Sequence, residues 1–262
     1  MSVRPSGFVA RGRRLTVAPL LALGLLALAA PPCRAWVDVF DRGPALIAGK
    51  YNLRVSNAGI LGNPFPDLSS DPSFEYPKGS GQELLHYAAL WVGAIDPLGG
   101  PRVSGGPLLE FRPTLAPEDT VREAWHGRFG SLRGVDDDGD GKIDEELLNG
   151  KDDDGDGEID EDLGLIGQQM LSADYSDDQP EAVHVYPDGE VHQPLGLSVH
   201  QETYAFAAQG YDGIAGLQFT ITNHGSTTLH EVYVGLYCDL DVDEHAKLAA
   251  YSNDALTRVG FT

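Results

Sequence analysis

Cysteine is almost missing from this sequence. Of two in 262 residues, Cys33 falls in a segment marked for removal, which leaves Cys238 without an intramolecular partner. A disulfide framework is therefore excluded, and Cys238, set in an apolar run, reads as a small buried hydrophobe. Basic residues are scarce too: 18 Lys and Arg face 40 Asp and Glu, a formal net charge of −22. Binding to nucleic acid rests on cations that neutralise phosphates, so that partner is argued against, as is an anionic membrane surface. No HExxH, no Gly-x-Ser-x-Gly elbow and no Walker loop is present. The eight histidines are scattered. His184, His192 and His200 are evenly spaced but read as partly exposed structural residues, and Trp91 and Trp125 are expected in the core. Nothing here carries a catalytic motif, so the expectation is a protein that is not an enzyme.

Only one long apolar run exists, "LTVAPLLALGLLALAA". Arg4, Arg11, Arg13 and Arg14 precede it and "PPCRA" follows. A basic start, a short apolar centre and a small-residue exit define a secretory signal peptide over 1–35, with the mature chain starting at Trp36. The run is shorter than the roughly 20 residues of a spanning helix. The expectation is a secreted or cell-surface protein with no membrane span after cleavage.

The mature chain is patterned for strands. Segments 51–59, 84–96, 181–192, 195–208, 215–225 and 229–242 are rich in β-branched and aromatic residues and are separated by turns such as "DPLGG" and "NHGSTT". Leu217, Phe219 and Ile221 alternate with Gln218, Thr220 and Thr222, and Val232, Val234 and Leu236 resume after the turn. The two runs read as an antiparallel pair packed by one face on a core. Only 117–126, "PEDTVREAWH", carries helix signals. These patterns predict an all-β, antiparallel β-sandwich-like fold with a short calcium-loop insert. The boundaries are 36–133 for an N-terminal β-rich part, 134–163 for the insert and 164–262 for a C-terminal β-rich part. The last part completes one sandwich with the first and is cut short where an apolar pattern restarts at Val259 and Phe261.

The insert is the informative stretch, holding 15 of the 40 acids between Asp136 and Asp162. "VDDDGDGKIDEE" is followed sixteen residues later by "KDDDGDGEIDED". A solvated acidic linker has no reason to hold glycine, isoleucine and aspartate at the same places twice. Counted from Asp136, acids stand at positions 1, 3, 5 and 9: Asp136, Asp138, Asp140 and Asp144. The second copy supplies Asp152, Asp154, Asp156 and Asp160. Alternate oxygens in a tight loop converge on Ca²⁺, which takes six to eight hard ligands. The glycines at position 6, Gly141 and Gly157, let the carbonyls of Lys142 and Glu158 face the ion. Ile143 and Ile159 then point away and can pack together. A donor set without His or Cys disfavours zinc and copper, so the expected ion is Ca²⁺. A weaker acidic cluster, "DLDVDEH", follows the last strand.

These loops resemble the Asp-rich calcium repeats of the thrombospondin type 3 and dockerin kind and, more distantly, the EF-hand. The resemblance covers 136–162. It departs at position 12, where those loops place a carboxylate and this chain has Leu147 and Leu163. Glu145, Glu146, Glu161 and Asp162 stand just before, and the closing ligand lies among them. More diffusely, 50–262 resembles the N-terminal regions of large bacterial secreted surface proteins. That likeness implies an exported β-rich surface protein. With the acidic loops, the expectation is a secreted calcium-binding structural or adhesive module with a protein or carbohydrate surface ligand. The alternative is the non-catalytic front of a larger exported hydrolase.

Overall fold

The structure, a computed structural model, describes residues 43–63, 72–106, 109–113, 119–128, 130–180, 182–183, 185–186 and 189–240. The signal segment, the acids after Leu240 and the restart at Val259 lie outside the described residues. Ten strands follow in order: β1 (Asn52–Leu53), β2 (Ile60–Gly62), β3 (Phe74–Glu75), β4 (Leu85–Ile95), β5 (Pro101–Gly105), β6 (Arg122–Trp125), β7 (Gln169–Ser176), β8 (Leu197–Ala205), β9 (Ala215–Asn223) and β10 (His230–Leu240). All pairing between them is antiparallel.

Two four-stranded sheets form the body. In one, β4 pairs with β10 along one edge and with β2 and β5 along the other; the second runs β6-β7-β8-β9. The alternation in β4 explains its place. Leu90, Val92 and Ala94 are buried, whereas Trp91 between them is exposed. The inward residues share one core with Leu171 and Ala173 of β7 and with Leu197 and Val199 of β8. Phe111 and Tyr175 meet edge to face in that core at 5.4 Å. Each large core side chain removed from water contributes roughly 1.5–3 kcal/mol, so this shared interior holds the sheets together.

Three local expectations are corrected. The stretch 117–126 supplies β6 instead of a helix: Arg122–Trp125 take β7 as their partner, with Arg122 opposite Ser172 and Trp125 opposite Gln169. Local acids and a proline favour a first helical turn, but sheet pairing wins where a neighbouring strand offers a full ladder. Next, β9 and β10 do not pair with each other. β9 lies beside β8, with Val199 opposite Ile221, and β10 lies beside β4, with Val234 opposite Val92. The "NHGST" turn therefore carries the chain from one sheet to the other. Finally, Trp91 is 42% exposed and is not a core residue.

β7 is buried at all but one of its residues, although Gln169, Ser172, Asp174 and Ser176 are polar. Gln169 is fully buried because its amide is fully bonded. Its Nε2 donates to Ala45 O at 2.8 Å and to Glu123 Oε1 at 2.6 Å, while its Oε1 accepts from Ile47 N at 2.6 Å. A buried polar group with all its partners costs little, and so it is tolerated at the centre of a sheet.

Candidate metal centre

The chain between β6 and β7 folds as two copies of one loop. In the first, the N–H of Gly139 donates to Asp136 Oδ1 at 2.6 Å and that of Gly141 to Asp136 Oδ2 at 3.1 Å. The N–H of Asp140 donates to Asp138 Oδ1 at 3.0 Å and that of Lys142 to Asp140 Oδ1 at 2.7 Å. The second copy repeats all four bonds on Asp152, Asp154 and Asp156, at 2.6, 3.0, 3.1 and 2.7 Å. The glycines at position 6 have φ of 97° and 104°, a region closed to most L-residues, so the turn requires glycine there. Sequence repetition has become geometric repetition.

The loops are fastened to the sheet by apolar and ionic contacts. Leu148, Leu163 and Leu165 are buried with Ala124, Met170 and Tyr204 of β6, β7 and β8. Leu163, which occupies the twelfth place of the second loop, thus serves as an anchor. Arg122 of β6 pairs with Asp160 at 3.2 Å, and its guanidinium lies so close over Gly150 that any side chain there would collide with it. The position-9 acids face the starts of their own loops. Asp144 accepts from Gly134 N at 2.8 Å and Asp160 from Gly150 N at 2.7 Å. Ile143 and Ile159 are 55% and 57% exposed and belong to neither core cluster, so the expected packing of the two isoleucines is not formed.

Among the described residues, carboxylates converge in four places. Two oxygens on one Ca²⁺, each about 2.4 Å from it, are separated by at most about 4.8 Å. That span joins Asp152, Asp154 and Asp156 within the second loop, and Asp138, Asp140, Glu145 and Asp154 across both. It also joins Asp136 and Asp138 with Asp162, and Asp154 with Glu146 and Glu161. The last two sets are exchanged: each loop lends its position-11 acid to the other. Glu146 is fixed in that role by the N–H groups of Asp153 and Asp154, at 2.6 and 3.1 Å from its Oε1. Among the expected residues, these sets contain Asp136, Asp138, Asp140, Asp152, Asp154 and Asp156. Asp144 and Asp160 are in none of them.

Electrostatics and burial mark the centre. Asp162 is 1% exposed, and both of its carboxylate oxygens lack a hydrogen-bond partner. Both oxygens of Glu145 and one of Glu161 are enclosed in the same unbonded way. Burial, followed by repulsion from Asp140 and Asp162, pushes the Glu145 carboxyl above its usual range. Burial and then Glu146, Asp156 and Asp154 do the same to Glu161. Lys142 partly offsets this charge, with Nζ 2.8 Å from Asp140 and 3.1 Å from Asp154. Its ammonium is pushed above its usual range by hydrogen bonds to those two acids. The arrangement can hold a hard cation. Sequence reasoning placed the alternate aspartates but could not choose among the later acids, because their roles depend on how one loop lies against the other.

One other cluster has the composition of a catalytic triad. Ser104 Oγ is 2.7 Å from Asp177 Oδ2 and 3.2 Å from His192 Nε2. Asp177 bonds the serine in place of the histidine and also accepts from Leu195 N and Leu197 N, both at 2.7 Å. Ser104 has no exposed surface. The group ties β5 to the start of β8, and His192, expected to be partly exposed, is buried within it. No helix among the described residues is long and apolar enough to cross a membrane. Compared with known proteins, the chain matches no protein-family model, no curated protein and no solved structure.

Proposed function

We propose that this chain is an exported, calcium-binding structural or adhesive module, in which two Ca²⁺ ions order the paired loops on the edge of a β-sandwich. One observation carries the reading: the Asp162 carboxylate is buried beside Asp136 and Asp138 with neither oxygen hydrogen-bonded. An enclosed carboxylate without a donor costs free energy that a bound cation removes. The donor set is all oxygen and irregular, as suits Ca²⁺ more than the strict octahedron of Mg²⁺. Asp136, Asp138 and Asp140 hold the first ion, with the carbonyl of Lys142 and with Asp162 as the closing acid. Asp152, Asp154 and Asp156 hold the second, with the carbonyl of Glu158 and with Glu146 and Glu161.

Extracellular calcium modules bind at around 10⁻⁴ to 10⁻³ M, matching the export signal read over 1–35. Because each loop lends an acid to the other, filling one site pre-orders the second. Metal thereby makes a rigid projection of a segment that is otherwise self-repelling. Limited proteolysis tests this directly. In millimolar calcium the chain resists cleavage between 130 and 165, and chelation exposes that segment while the strands stay intact. Equal cleavage in both conditions contradicts the proposal.

A further inference from the structure

The exposure of Trp91 raises a second question, independent of the loops. Its indole stands on the outer face of β4, held from two sides. Tyr237 of β10 stacks on it at 5.9 Å with an interplanar angle of 30°. On β5, Gly105 leaves room for the indole edge, since a Cβ there would meet Trp91 Cδ1 at 2.7 Å. Two neighbours thus fix a large aromatic surface that remains 42% exposed.

Beside it opens a cleft of about 830 Å³, walled by Trp91, Arg102 and Val103 and by Tyr186, Glu190 and Val191. That volume lies within the ~300–1,000 Å³ range of small-molecule sites. Glu110 and His192 line it and are 3% and 4% exposed. Glu110 Oε2 accepts from Gly105 N at 2.7 Å, and its Oε1 lies 4.0 Å from His192 Nε2. His192 Nδ1 in turn sits 2.9 Å from Ala182 O. Polar groups this enclosed, oriented by the backbone behind them, make a built base.

Charge in the cleft is largely balanced. Asp96 is paired with Arg102 at 2.8 Å, and Glu190 is exposed to water at the rim. Burial pushes the Glu110 carboxyl up to about 7, so its neutral form is within reach and can donate a hydrogen bond. An anionic ligand would find Arg102 already paired with Asp96, and a hydrocarbon would strip water from that ion pair. A ring with one flat C–H face and a rim of hydroxyls satisfies both walls.

We propose that this cleft binds a neutral oligosaccharide, one ring lying on Trp91 while its hydroxyls bond to Arg102 and Glu110. Calorimetric titration of the exported chain in millimolar calcium tests it, with cellohexaose, maltohexaose and the hexamer of N-acetylglucosamine as probes. Oligogalacturonate and spermidine serve as charged controls. At least one neutral probe should bind saturably, and Trp91→Ala should weaken it about tenfold or more, as loss of a central aromatic anchor does. Val103→Trp, which fills the cleft without touching Glu110, should weaken it comparably, so the test survives if one variant folds poorly. Asp138→Ala combined with Asp154→Ala should leave binding unchanged, which separates this inference from the calcium proposal. Binding of the charged probes alone, binding of none, or wild-type affinity in both the Trp91 and the Val103 variants overturns it.

Discussion

Changing Asp162 to Asn separates the two things that carboxylate does. The replacement keeps the shape of the side chain and removes a charge that is 1% exposed and lacks hydrogen bonds on both oxygens. Without metal, burying an unsatisfied group of this kind costs about 1–3 kcal/mol, so Asp162→Asn should stabilise the calcium-free protein by a share of that. With calcium the balance turns. At tenfold excess over its dissociation constant, an ion contributes about 1.4 kcal/mol per site, and the variant forfeits most of this at the Asp136–Asp138 site. For a domain of this size each kcal/mol moves the midpoint by about 2–4 °C. Thermal melts of wild type and variant, in chelator and in millimolar calcium, should therefore show the variant melting higher in chelator and gaining less from calcium. If Asp162→Asn lowers the midpoint in chelator, or leaves the calcium increment unchanged, Asp162 is not a closing ligand.

Two further outcomes follow from the charge arrangement. Lys142 lies against Asp140 and Asp154, so Lys142→Gln should tighten calcium binding by removing a competing cation, and titration at low ionic strength should detect it. Unchanged affinity would mean the ammonium does not oppose the ion. On β8, burial alone would lower the His200 pKa, but Asp174 at 3.0 Å and Glu202 at 3.7 Å lift it to about 9. A folded value above the unfolded one, near 6.5, means the stabilisation is complete below pH 6.5 and fades as pH rises through 9. Urea midpoints between pH 6 and 10 should fall by no more than about 3 kcal/mol in free energy, and His200→Asn should flatten that fall.

What could be read from the sequence was local. Leu217, Phe219 and Ile221 announce β9 because a half-buried strand must alternate, and the loop glycines announce a turn because few other residues reach a φ near 100°. Partnership was not legible. The short "NHGST" turn suggests a hairpin, yet the ladders of β9 and β10 lie with β8 and β4, choices set by the whole core. β7 was overlooked because Gln169, Ser172 and Ser176 break the apolar pattern, and the partners of Gln169 and Ser172 are distant in sequence. Trp91 could have been placed: Leu90, Val92 and Ala94 already claim the inner face of β4, which puts the indole outside. The exchange of Glu146 and Asp162 between loops leaves no mark in either repeat alone.

Calcium titration calorimetry on the wild-type chain and on the Asp138→Ala, Asp154→Ala double variant addresses the central claim most directly. The account predicts two ions bound by wild type, with protection of 134–163 from protease, and loss of the main binding event in the variant while the sandwich stays folded. No binding heat and no protection at millimolar calcium would contradict it.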